Sequence, residues 1–164
     1  MVRTLIRSFT IVLLTLLVQP VLAETLDDSL SPQQQLNLNF EWKMPLYSGP
    51  ADDRNLTAVV AHASNVETRL NTARYLGQQA RIYLELPINV RGLRNPDSLR
   101  MSWTTNGLFS DGSVTPGTRQ LIYQGMINAR VMRDIFNFSF EMDGRDLNQT
   151  LRLEPVYDIE IDAP

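Results

Sequence analysis

The chain contains no cysteine, a single histidine, His62, and a single lysine, Lys43. Without thiols it forms no disulfide, no thiolate metal site and no lipid-modified cysteine. One imidazole cannot assemble a histidine-rich zinc centre within one chain. A Ser-His-Asp triad would have to use His62, which lies between Ala61 and Ala63, and no Gly-x-Ser-x-Gly elbow occurs anywhere. His62 is therefore expected at a surface or sheet edge. Glycine loops of the Walker or dinucleotide type are missing, so no cofactor is expected. Internal repeats and low-complexity tracts are absent as well. The longest apolar run, Phe9 to Val18, falls short of the ~20 residues that span a bilayer.

That run has the marks of an export signal. Arg3 and Arg7 precede it, Pro20 breaks it, and Val21-Leu22-Ala23 offers small or branched residues where a signal peptidase reads. Residues 1–23 are expected to be removed, which places the mature chain in the periplasm or outside the cell with no membrane insertion. Of 15 basic residues the signal takes two, and of 18 acidic residues none, so 13 remain against 18 and the net charge becomes −5. That balance argues against a nucleic-acid partner, which needs clustered positive charge. Residues 24–35 (ETLDDSLSPQQQ) read as a flexible polar lead-in, and 36–164 as one domain large enough to fold without cross-links.

What the sequence does have is alternation. Leu36, Leu38, Phe40 and Trp42 share one side of LNLNFEW; Ile82, Leu84 and Leu86 do so in RIYLEL; Leu99, Met101 and Trp103 in LRMSWTT. Leu121, Tyr123 and Ile127 alternate around Gly125, where a bulge or close backbone approach is expected. Phe136, Phe138, Phe140 and Met142 oppose Asn137, Ser139 and Glu141, and a last strand runs from Leu151 to Ile161 with Pro155 marking a kink or edge. Asn95-Pro96-Asp97, Asn106-Gly107, Asp111-Gly112, Pro116-Gly117 and Asp143-Gly144 punctuate these runs as turns. Val66 to Asn71 reads as a further strand followed by a turn near Gly77, while Leu56 to Ala61 fits either a strand or a short helix. The expectation is an all-β antiparallel sandwich, immunoglobulin-like, of about seven strands.

Acids and exposed aromatics are the candidate functional groups. Asp158, Glu160 and Asp162 share one side of the last strand, successive members ~7 Å apart. Two of them could flank a glycosidic bond or hold calcium, or the three could form the solvated side of a strand whose other side carries Tyr157, Ile159 and Ile161. Asp143, Asp146 and Asn148 resemble a calcium loop only loosely, and a hairpin turn accounts for them. Trp103 is expected in the core. Trp42 and Tyr47, near Pro45, Gly49 and Pro50, either close the end of the core or offer a platform to a sugar. The three Asn-x-Ser/Thr sequons, at Asn55, Asn137 and Asn148, are accidental in a bacterial chain.

Three functions follow. The first is an exported non-catalytic interaction domain of a cell-envelope or surface assembly, with a protein partner. The alternatives are a carbohydrate or other ligand-binding module using Trp42, Tyr47, Asp158 and Glu160, and an acid-based glycoside hydrolase. An alternating strand behind a polar leader resembles the donor strands with which pilus subunits complete a neighbour's sheet, although pairing within its own sheet is the simpler expectation.

Overall fold

The computed structural model describes residues 23–32, 38–43 and 57–162. Residues 1–22 of the expected export signal, Leu36, Tyr47 and Leu56 lie outside them. Eleven strands occur among the described residues: β1 (Glu24–Thr25), β2 (Glu41–Trp42), β3 (Ala58–Asn71), β4 (Gln79–Leu86), β5 (Arg91–Leu93), β6 (Arg100–Thr105), β7 (Gly112–Val114), β8 (Thr118–Met126), β9 (Val131–Asp143), β10 (Leu147–Arg152) and β11 (Val156–Ile161). Seven of these have six residues or more, which is the number the alternation suggests. One sheet has the order β1-β11-β4-β8, the other β2-β3-β9-β6-β7, and β10 and β5 form a separate ribbon. Every pairing is antiparallel, and the two large sheets pack against each other as a sandwich. No helix among the described residues is long and apolar enough to cross a membrane.

The core is the sum of the inward faces. Ile82, Leu84 and Leu86 from β4 and Phe136, Phe138, Phe140 and Met142 from β9 are all buried, as their alternation requires. The rings of Phe136 and Phe138 stack with centroids 5.3 Å apart, and Phe136 meets Tyr157 of the opposite sheet at 6.5 Å. Trp103 is buried as expected, its indole N–H donating to the Ser110 carbonyl at 2.9 Å. Gly112 is required beside it, because a Cβ there would lie 2.8 Å from the Trp103 ring.

Two bulges change the reading of the pattern. In β3 the register slips between Ala63 and Val66, with Asn65 at φ 59°. Val59, Ala61 and Ala63 face inward before the slip, and Thr68 and Leu70 after it. A two-residue period that changes phase mimics helical spacing; from Ala58 onward the ambiguous segment is strand. In β8 the ladder pairs Leu121 with Tyr83 and Tyr123 with Ile82, leaving Ile122 as the extra residue. Ile122 is fully buried while Leu121 and Tyr123 are only half-buried, so it takes the inward place expected for those two, whereas Ile127 is buried as expected. The bulge sits at Ile122, and at Gly125 the close approach is by the Tyr123 hydroxyl, 3.1 Å from where a Cβ would stand.

The last run also divides. Pro155 has no N–H for a ladder, and the chain leaves β10 before it and enters β11 after it. At the start of the fold, the polar segment from Glu24 is tied down in its described part. β1 pairs with Ile159 and Asp158, the Leu26 N–H donates to the Tyr157 carbonyl at 2.7 Å, and Leu26 itself is buried. Asp27 bridges to Asn71, and the Arg69 N–H donates to Ser31 Oγ at 2.8 Å. β2 then joins Val59 and Val60 at the other end of β3, so the alternating strand pairs within its own sheet.

Candidate functional site

The acids of β11 lie on the outer face of their sheet, as the alternation implies, but Glu160 is not freely solvated. It is buried, 8% exposed. Arg119 from β8 donates to Glu160 Oε1 at 2.8 Å, and the Tyr83 hydroxyl from β4 donates to Oε2 at 3.2 Å. Arg81 approaches Oε2 at 3.8 Å and bonds Asp162 Oδ1 at 3.0 Å. The Arg119 guanidinium also stacks over the Tyr83 ring, 4.3 Å from its centroid. Burial pushes the Glu160 carboxyl up, and the Arg119 and Tyr83 hydrogen bonds with the two arginine charges more than offset it, so its pKa lies below the ordinary value. Asp158 accepts from Thr25 Oγ1 at 3.0 Å. Both proposed site acids thus have partners, and an ion or a sugar would have to displace them.

The remaining sequence candidates are spread over the molecule. Trp42 is opposite Val59 in the β2–β3 ladder, at the end of the sandwich, where its ring comes within 3.5 Å of the place a Gly144 Cβ would occupy. It is 66% exposed, a rim residue and not part of the dry face expected for it. Tyr47 lies outside the described residues. His62 is exposed and opposite Ser139. Asp143 caps a short 3-10 turn at Gly144–Asp146 and chelates the Arg145 guanidinium, which holds its carboxyl far below the usual range. Among the described residues no three His, Asp or Glu side chains are grouped to hold a metal ion.

The feature that sequence reasoning missed is a cleft of about 430 Å³ lined by residues of both sheets. Met101, Phe138 and Phe140 of one sheet and Tyr157 of the other line its floor, and Val66, Leu153, Pro155 and Val156 its walls. Asp28, Glu67 and Glu154 bring carboxylates to it. At its floor the Thr68 and Tyr157 hydroxyls share a hydrogen bond of 3.2 Å. Burial pushes the Tyr157 phenol up to about 12, with the Asp28 charge adding to the shift and the Thr68 bond opposing it. Glu67 is held by Arg69 at 2.9 Å, and that hydrogen bond lowers its pKa. Asp28 and Glu154 are exposed and have no ion pair among the described residues. The one sequence signal for this site is Pro155, which interrupts the strand and opens the wall. Compared with known proteins, the chain matches no family model, no curated protein and no solved structure.

Proposed function

We propose that the mature chain is an exported, non-catalytic β-sandwich interaction domain, a component of a cell-envelope or surface assembly. The observation that carries this reading is the open cleft between the sheets. Its floor is aromatic and aliphatic, the Thr68 and Tyr157 hydroxyls bond each other and that of Ser31 bonds the Arg69 backbone, and among the described residues that line it no nucleophile is aligned with a base. Such a surface suits the seating of a side chain from a partner better than bond cleavage. The basic start, apolar run and Pro20 of residues 1–23 support export. The test is photo-crosslinking from position 153 of the tagged mature chain in its native envelope. A discrete protein adduct that disappears with Val156→Arg supports the reading, and adducts only to lipid or solvent overturn it.

Exposed Trp42 favours a second reading, a carbohydrate-binding module, because a flat ring at the sandwich rim can stack on a sugar. Glycan-array binding abolished by Trp42→Ala would select it. The glycoside-hydrolase alternative places its chemistry on Asp158 and Glu160; glycosidase turnover surviving in Asp158→Asn and Glu160→Gln dismisses it.

A further inference from the structure

We infer that Asn106, which precedes Gly107 in the β6–β7 loop, is a site of spontaneous modification: in the folded protein its side-chain amide is lost as ammonia and replaced by a carboxylate, without an enzyme. Asparagine is a thermolabile residue, and it reacts most readily before glycine, where no side chain hinders the following backbone nitrogen. Of the 11 asparagines in the chain, Asn106 alone precedes a glycine. The fold itself demands that glycine. The buried Asp134 carboxylate lies against residue 107, where a Cβ would come within 2.6 Å of Oδ1. The contact that pins the loop therefore also places the labile pair in it.

The reaction needs an accessible nucleophile and an accessible electrophile. Asn106, Gly107 and Leu108 are exposed and lie in a bend outside any strand. Neither the Asn106 amide nor the Gly107 N–H has a hydrogen-bond partner among the described residues, although the loop is anchored on both sides: the Thr105 N–H donates to Asp111 Oδ1 at 2.7 Å and the Phe109 N–H to Asp134 at 2.8 Å. The Gly107 nitrogen loses its proton and attacks Asn106 Cγ. The Cγ–N bond of the side-chain amide breaks, ammonia leaves with that proton, and a cyclic imide remains. Water then opens the ring. Cleavage at Cγ leaves aspartate, and cleavage at the main-chain carbonyl leaves isoaspartate with the backbone routed through the side chain. Either product adds a negative charge to the cleft of about 480 Å³ that Asn106 lines with Glu67, Arg133 and Asp134. Asp111-Gly112 and Asp143-Gly144 could close the same ring by losing water, but both are held. The Asp111 carboxylate is bound to Thr105, Asp143 to Arg145, and the Gly144 N–H donates to the Thr57 carbonyl at 2.8 Å.

The experiment incubates the folded chain in mildly alkaline buffer made with heavy-oxygen water and follows the tryptic peptide 101–119, in which Asn106 is the sole asparagine, by mass spectrometry. The expected result is progressive conversion to a mixture of aspartate and isoaspartate carrying one heavy oxygen, ahead of every other asparagine. Its rate should rise about tenfold per unit of pH, because the deprotonated amide is the nucleophile. A parallel sample in urea gives the rate of the unfolded chain, and the folded rate should lie within about tenfold of it, since no bond protects the pair. Asn106→Gln, at an exposed position, should abolish the conversion of that peptide, and an unchanged urea midpoint certifies its fold. Conversion confined to the urea sample, a folded rate no greater than at the other asparagines, or a rate independent of pH would overturn the inference.

Discussion

Glu160 shows how a single carboxylate can organise a sheet surface. It accepts bonds from Arg119 on β8 and Tyr83 on β4, and so ties three strands together across the outer face. Glu160→Gln leaves Arg81 and Arg119 facing each other without their shared anion. Because both arginines are partly solvated, the expected cost is about 1 kcal/mol, read as a lower urea midpoint. The sign of the pH effect follows from the lowered pKa: stability from this group is complete above the ordinary glutamate value of 4.5 and is lost as pH falls through the depressed folded value. Acid unfolding of Glu160→Gln should therefore be shallower than that of the parent, and identical acid limbs would contradict the network's role. Tyr157 gives the alkaline counterpart. Its folded pKa of about 12 exceeds the ordinary tyrosine value of 10.0, so stability falls as pH rises between the two. Of the five tyrosines, Tyr75 is also shifted up by burial, but Tyr157 should form tyrosinate last in absorbance titration, and Tyr157→Phe should abolish that last phase.

Among the elements, β9 carries the most buried aromatic surface. Phe136→Ala would empty a fully buried site between Phe109, Phe138 and Tyr157, at an expected cost of 3–5 kcal/mol as a rough range; denaturant unfolding measures it. The same strand marks the boundary of what alternation reveals. From Phe136 to Met142 every inward position was readable, because each is apolar and each neighbour polar. Upstream, the inward Asp134 breaks the pattern, although the strand continues to Val131. That carboxylate accepts from the Phe109 N–H at 2.8 Å and pins the β6–β7 loop, and Gly107 leaves room for it, since a Cβ there would lie 2.6 Å from Asp134 Oδ1. Local hydropathy has no term for a partner 25 residues away. The bulges at Asn65 and Ile122 escape notice for a related reason: one extra residue reverses the inward phase without leaving a mark in composition. Strands β5 and β7, three residues each, are too short to show a period. The cleft was illegible because its lining comes from segments far apart in the chain, and only Pro155 is conspicuous in the sequence.

At the scale of the whole molecule, the described residues 24–32 and 38–42 act as a clasp over one side of the sandwich. They hold β11 through β1 and both ends of β3 through Asp27, Ser31 and β2. Deleting them exposes Leu26's socket and the surfaces against which Leu38 and Phe40 pack. The truncated chain is expected to lose its cooperative urea transition or to shift it by several kcal/mol, roughly the burial of two to three large side chains. An unchanged transition would mean that the clasp is dispensable to the fold and free to serve another molecule.

Glu24 finds its partner in Ile159, so the first and last strands among the described residues are neighbours although translation makes them far apart in time. A half-synthesised chain can fasten Asp27, Ser31 and β2 to β3 but lacks β11, the partner of β1. The seam beside the aromatic floor can be closed only when the final segment arrives, which leaves an interval during biogenesis when that floor is accessible to any passing chaperone or protease.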